Sequence, residues 1–300
     1  MKILVLDTGG TAIKSAIFDD ANVLSDIRIT PSNARDLDAR TETITDLIKE
    51  YSVFDVLSVA TTGQVNDREK TILFRYHTPP TANRAAYPIG DILQKAVGRP
   101  VFLLNDCNAA ALGEAYFGAG RNYENFLCLT YGTGVGGAII QNRSLYTGSC
   151  GIAGEVGHMV THKGGRLCGC RRRGCYEQYA STTALLRNAR TIHPEFENAK
   201  QIFEAANDDP RLRRVIRAWE KEIVAGLLTL TYIFNPTCII LGGGVMEQKD
   251  LSEEIRREFY KQVIPTFAGV DLLCAELGNR AGMFGAAVYA RQQLELSKTE

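Results

Sequence analysis

Short apolar runs alternate along the chain with longer segments whose apolar residues recur every three or four positions. Lys2 to Leu6 and Ser15 to Phe18 read as strands joined through Asp7-Thr8-Gly9-Gly10-Thr11, and Asp19-Asp20-Ala21-Asn22 is a second turn leading into a strand from Val23. That pattern predicts an antiparallel meander. Asp36 to Tyr51 sets Leu37, Ile44, Leu47 and Ile48 among charges, the periodicity of a surface helix, and is followed by the strand Val56 to Ala60 and by Thr61-Thr62-Gly63. A helix over Ile89 to Val97, a buried strand over Val101 to Leu104 and a helix over Asn108 to Tyr116 come next. Strands alternating with helices predict a layered α/β domain.

Past Gly118-Ala119-Gly120 the pattern begins again. Phe126 to Leu129 is an apolar strand, Tyr131-Gly132-Thr133-Gly134 a glycine turn and Gly136 to Ile140 a second strand. Leu6-Asp7-Thr8-Gly9 laid over Leu129-Thr130-Tyr131-Gly132 gives strand, turn, strand in both halves, an internal repeat whose halves could face each other across a cleft. Ile152 to Ser181 is irregular, rich in Gly, Cys and charge. Pro210 to Phe234 is one long helix, with Asp208 or Asp209 as N-cap, Pro210 in the first turn and Asn235-Pro236 as its stop. A buried strand, Cys238 to Leu241, ends at Gly242-Gly243-Gly244, and the final helix, about Gly282 to Leu294, could cross back to the first half. The expected domains are 1–118 with 282–300, and 119–281.

Composition narrows the class. A chain of 300 residues that is 45% hydrophobic and 23% charged can bury a sizeable core. Lys+Arg and Asp+Glu are both 34, which argues against electrostatic binding to nucleic acid or an anionic membrane. Met1 to Leu6 lacks a secretory pattern, and Ile223 to Phe234 is too short for a membrane span, so a cytoplasmic location is expected. Eight cysteines in that compartment point to a metal site or reactive thiols rather than disulfides.

Asp7, Gly9, Gly10, Thr11 and Lys14 gather a carboxylate, two glycines, a hydroxyl and a cation in one strand turn. Backbone N–H groups there can approach phosphate oxygens, and the carboxylate suits Mg²⁺. A simple hairpin turn needing positive φ is the alternative. Gly132, Thr133 and Gly134, with Gly136 and Gly137 behind them, form a second such loop, and Gly243-Gly244 a third. Three glycine loops, each after an apolar strand, are accounted for together by a nucleotide polyphosphate. Asn105-Asp106 follows a buried strand, where α/β sheets present catalytic groups, so Asp106 reads as a general base or as a helix cap; capping by Asn108 would leave it free. His158, Cys168, Cys170 and Cys175 supply the four N/S ligands of a structural zinc site, against the alternative of free thiols. His77, His162 and His193 have no Cys or carboxylate partner nearby in sequence and read as surface or core residues. Arg171 to Arg173 and the stripe Arg211, Arg213, Arg214 and Arg217 read as solvated faces.

Asp7-x-Gly-Gly-Thr11, Asn105-Asp106-x-Asn108-Ala-Ala-Ala-Leu-Gly-Glu114, Gly132-Thr-Gly-x-Gly-Gly137, Gly154-Glu-x-Gly-His158 and Cys168-x-Cys170-x₄-Cys175-x-Glu177 together resemble the ROK family of bacterial sugar kinases and sugar-responsive repressors. The Cys-x-Cys…Cys-x-Glu element is the most specific of these; the glycine loops are shared with the wider actin and hexokinase-like superfamily. Arg171 departs from the family, standing where Gly is usual, and Cys107 where Ala is common. The resemblance implies two actin-like ATPase domains of ribonuclease H-like fold facing a central cleft, with a zinc-bound loop. It implies an ATP-dependent kinase of the 6-hydroxyl of a hexose or N-acylhexosamine, using Mg²⁺ and a structural Zn²⁺. Asp106 resembles the base; Gly63, Asn105, Glu155, His158 and Glu177 the sugar contacts; and the glycine loops the nucleotide cradle. His158 would bind zinc through one ring nitrogen and sugar through the other. A homodimer is expected, binding neither nucleic acid nor membrane. The alternative is a sugar-sensing transcriptional regulator of the same family; the strand beginning at residue 2 leaves no room before it for a DNA-binding domain.

Overall fold

The computed structural model describes residues 1–32, 36–74 and 86–298. Two compact units emerge, one of residues 1–121, 144–153 and 279–300, the other of 122–143 and 154–278. His77 lies outside the described residues.

The first unit is built on a sheet of β1 (Ile3–Thr8), β2 (Ala12–Phe18), β3 (Leu24–Pro31), β4 (Val56–Thr61) and, beyond the short hairpin of β5 (Gln64–Asn66) and β6 (Thr71–Phe74), β7 (Val101–Asn105). The strand order is β3-β2-β1-β4-β7. The meander β1-β2-β3 is antiparallel as its turns predict, and β4 and β7 add in parallel. Alternation along the strands sends Leu4, Leu6, Leu57, Val59 and Leu103 to one face, against Ile44, Leu47 and Ile48 of α1 (Leu37–Lys49) and Leu93 of α2 (Ile89–Val97). The other face carries α3 (Asp106–Phe117) and, at the end of the chain, α9 (Ala281–Leu296). Phe18 meets Phe117 and Phe284 edge-on, and Ser58 Oγ donates to the Ala286 carbonyl at 2.7 Å. Glycines let α3 and α9 touch: a Cβ on Gly285 would lie 1.6 Å from the Ala109 carbonyl oxygen.

The second unit repeats the plan. β8 (Phe126–Tyr131) and β9 (Val135–Gln141) form an antiparallel hairpin with a three-residue turn, as β1 and β2 do, and β11 (Cys238–Gly242) and β12 (Asp271–Cys274) add in parallel beside β8. A two-residue strand, β10 (Ser144–Leu145), follows β9. The sheet core of Leu127, Leu129, Tyr131, Ile239, Leu241 and Leu272 packs on helices α4 (Glu177–Ala180), α5 (Thr182–Ala189), α6 (Ala199–Ala206), α7 (Pro210–Phe234) and α8 (Lys249–Gln262). Trp219 is buried on α7 and its Nε1 donates to the Ala180 and Ser181 carbonyls, tying that helix to the α4–α5 corner. Asp209 is the cap of α7, with Pro210 at its first position and Asn235 left-handed at its end. No helix among the described residues is long and apolar enough to cross a membrane, and none of the eight cysteines is in a disulfide.

Candidate active site and metal centre

The carboxyl ends of β1, β4 and β7 place the first group of residues. Asn105 ends β7 opposite Thr61 and caps α3, its Oδ1 accepting from the N–H groups of Cys107 (2.8 Å) and Asn108 (3.2 Å). The cap is therefore Asn105, not Asn108, because the strand runs directly into the helix with Asp106 as its first residue. Asn105 Nδ2 donates to the Gly63 carbonyl at 3.0 Å, and Gly63 holds φ 106°, so the turn after β4 is pinned to the end of β7. Burial, then the like charge of Asp7, pushes the Asp106 carboxyl up to about 6, against the Cys107 N–H that stabilises its charge. Asp7 is itself raised by burial, opposed by Lys14 Nζ 3.5 Å away; Lys14 also donates to Asn279 Oδ1.

The glycines sort into two kinds. Gly10, Gly132 and Gly244 have no positive φ, and a Cβ on any of them would meet nothing within 4 Å. Neither a positive φ nor a packing clash requires glycine at these three positions, and the absence of a side chain leaves their backbone open to approach. Gly137, inside β9, and Gly243, whose Cβ would sit 2.2 Å from the Tyr131 carbonyl, are instead demanded by the protein's own packing. Sequence reading missed what steadies the second loop: Thr182 Oγ1 donates to the Gly132 carbonyl and Thr183 Oγ1 to that of Thr133, both at 2.7 Å. A Ser-Thr-Thr run opening a helix was the signal available.

The second unit assembles a candidate metal centre. His158, Cys168, Cys170 and Cys175 each point one ligand atom inward, and these atoms lie within 4.8 Å of one another. His158 closes a 3₁₀ turn, Val156–His158, laid against β9, where a Cβ on Gly157 would stand 2.1 Å from the Val135 carbonyl. Cys175 is fixed by its successor: Tyr176 is fully buried, shares a 2.9 Å hydrogen bond with Tyr131 and donates to the Ile223 carbonyl of α7. Burial pushes both the Cys168 and Cys175 thiols upward. Three such thiols converging with an imidazole are the donor set that a soft divalent ion binds as thiolates, displacing their protons. The His158 Nδ1 side faces the cysteines, 3.7 Å from Cys168 Sγ, while Nε2 faces Glu155 Oε2 at 3.7 Å. Glu177 Oε1 lies 2.9 Å from Cys168 Sγ, and its other oxygen is 2.8 Å from where a Cβ on Gly134 would stand.

Arg171 occupies a left-handed corner of this loop, φ 70°, which is the physical reason glycine is usual there. Two histidines have carboxylate partners, against the sequence reading: His193 meets Glu195, only two residues on, at 3.0 Å and the distant Asp209 at 3.2 Å, and His162 stacks on Tyr179 and faces Glu222 at 3.5 Å. The Arg211, Arg213, Arg214 and Arg217 stripe is exposed. Thus Gly63, Asn105, Asp106, Asp7 and Lys14 gather in the first unit, and Glu155, His158, Glu177 and the cysteines in the second.

A strand–glycine turn–strand hairpin extended by parallel strands, present twice, with a Cys₃His loop in the second copy, defines an actin-like ATPase fold of the sugar-kinase type. The chain belongs to the ROK family, whose profile matches residues 3–293. It is 34% identical over 311 residues to the glucokinase of Streptomyces coelicolor, covering 96% of each chain, and 30% identical to the N-acetylmannosamine kinase of Haemophilus influenzae, covering 100% of this chain and 98% of that one. The crystal structure of a ROK family glucokinase from Streptomyces griseus with glucose and AMPPNP superposes with a TM-score of 0.85 at 32% identity, covering 97% of this chain and 100% of that one.

Proposed function

We propose that this protein is an ATP-dependent sugar kinase that phosphorylates the 6-hydroxyl of a hexose or N-acylhexosamine, with Asp106 as general base. The observation that carries the reading is the Asp106 carboxyl: at the end of β7, held by the Asn105 cap and raised to about 6, it is ionised at neutral pH yet basic enough to take a hydroxyl proton. Phosphoryl transfer otherwise needs alignment and charge neutralisation. Gly9, Gly10, Thr11, Lys14, Gly132, Thr133, Gly134, Gly243 and Gly244 supply N–H groups and one cation for ATP. Asp7, whose carboxylate has Lys14 as its cationic neighbour beside the open Gly10, fits Mg²⁺, which when bound neutralises phosphate charge.

Gly63, Asn105, Glu155, His158 and Glu177 bind sugar hydroxyls in this reading. The Cys₃His set fits zinc, which fixes the loop when bound; all four positions are taken by protein, so its role is structural. His158 then carries zinc on Nδ1 and offers Nε2, oriented by Glu155, to the sugar. Glucokinase and N-acetylmannosamine kinase relatives support this substrate class. We place the reaction in the cytoplasm, where ATP is at hand and thiols stay reduced, and expect a homodimer on light scattering.

The test is ADP release across a panel of hexoses and N-acylhexosamines with ATP and Mg²⁺. On the best sugar, kcat should fall as the pH drops through about 6, because protonation removes the base. Asp106→Asn should lower kcat about 10²–10⁴-fold with sugar affinity kept. A variant with wild-type turnover would reduce Asp106 to a helix-end residue.

A further inference from the structure

Arg40 breaks the pattern of α1. It stands on the stripe that continues through Ile44, Leu47 and Ile48, and its side chain is 1% exposed, among the largest fully buried in the protein. Among the described residues its guanidinium has one hydrogen bond, Nη1 donating to Thr62 Oγ1 at 2.8 Å, and Nε is buried with no partner. No carboxylate among the described residues stands within ion-pair distance of it. Burial lowers its basicity, and the group that does most to keep it charged is Asp106. An arginine wholly removed from water with so few partners is costly, and a core helix position would ordinarily hold leucine.

Its one hydrogen-bond partner among the described residues, Thr62, shows what the guanidinium holds. Thr62 is followed by Gly63, whose carbonyl accepts from Asn105 Nδ2, and Asn105 in turn caps α3 at the point where Asp106 begins it. The turn after β4 is thus held between a guanidinium on one side and the cap of the catalytic helix on the other. We propose that Arg40 is a positioning residue: through Thr62 it fixes the Gly63 carbonyl and the Asn105 side chain, and so the orientation of Asp106. The role rests on the reading of Asp106 as base. A guanidinium suits the task because its planar fork sets direction as well as charge, which a lysine ammonium does not.

The test compares Arg40→Met and Arg40→Lys with Thr62→Val and Thr62→Ser. Arg40→Met and Thr62→Val should lower kcat by tenfold or more while KM for ATP stays within about twofold; Thr62→Ser, which keeps the hydroxyl, should restore kcat, and Arg40→Lys should restore it in part. Zinc content reports folding of the other unit independently. Hydrogen exchange of the peptide carrying Cys107 and Asn108 should quicken in Arg40→Met and Thr62→Val, a readout that needs no turnover. If the wild-type protein phosphorylates no sugar, the kinase reading falls, and exchange alone decides for Arg40. Wild-type kcat and unchanged exchange in Thr62→Val, or in a folded Arg40→Met, would overturn the proposal.

Discussion

Arg171 holds a left-handed backbone at an exposed corner of the cysteine loop, between Cys170 and the strictly packed Gly174, whose Cβ would stand 1.8 Å from the His162 carbonyl. A side chain in that conformation costs roughly 1–2 kcal/mol, and glycine's freedom in the unfolded chain gives back about 0.5–1 kcal/mol of that difference. Arg171→Gly should therefore stabilise the loop by about 0.5–1 kcal/mol, seen as a later urea midpoint for the second unit; an earlier one would mean the arginine makes a contact worth more than its strain. Cys168 presents the opposite case, a residue whose replacement removes a cause of order. Cys168→Ala should lose the roughly one zinc per chain that a closed four-ligand site holds. Sugar binding should weaken in the same variant while ATP affinity stays, because Glu155, His158 and Glu177 stand on the metal loop and Gly10 and Gly244 do not. Metal analysis with separate calorimetric titrations checks this, and a zinc-free variant that binds sugar normally refutes it. At this scale the motif residues were legible because chemistry fixes their types and spacing. Arg40 was not: an arginine among charges reads as solvated, and only the fold places it on the buried face of α1.

Elements with strong caps were legible to the residue. α7 runs Pro210–Phe234 because Asp209, Pro210 and Asn235 each act at a helix end whatever surrounds them. The start of α3 was misread since three capping types, Asn105, Asp106 and Asn108, sit in four positions, and only the strand register decides among them. α8 and β12 escaped for other reasons. α8 buries Leu251, Ile255 and Phe259 behind a heavily charged surface, and β12 is four residues long, below the length at which alternation can be read. The N-terminus of α7 also makes a pH prediction. His193 hydrogen-bonds Asp209 and Glu195, and its pKa is raised above the usual 6.5, first by Asp209. A raised folded value means that the pair stabilises fully below about 6.5 and loses this contribution as the pH rises through the folded value. The wild-type Tm should thus exceed that of His193→Gln at pH 5.5, and the gap should narrow by pH 8.5; a gap that widens with pH would reverse the assignment.

Across the whole molecule, the repeat was visible in sequence because the hairpin at Gly9 and the one at Gly132 are local, whereas the parallel additions β4-β7 and β11-β12 join segments far apart in the chain. The same topology bears on the order in which the protein is made. The second unit is complete once residue 278 has been synthesised, but the first, begun before it, lacks α9 until residues 281–296 have followed. Until then the sheet has only α3 on that face and lacks the cover that α9 supplies where Ser58 meets Ala286 and Phe18 meets Phe284. Vectorial synthesis ordinarily completes N-terminal domains first; here the earlier unit must wait for a helix made after the later one. A chain ending at Gly278 should consequently keep its zinc and yield a protease-resistant fragment from about residue 122 onward, while the segment before it is digested. Helix α9, rather than the first strand, would then commit the unit that carries Asp106, and synthesis halted before residue 281 would release a second unit able to hold metal beside an unfinished companion.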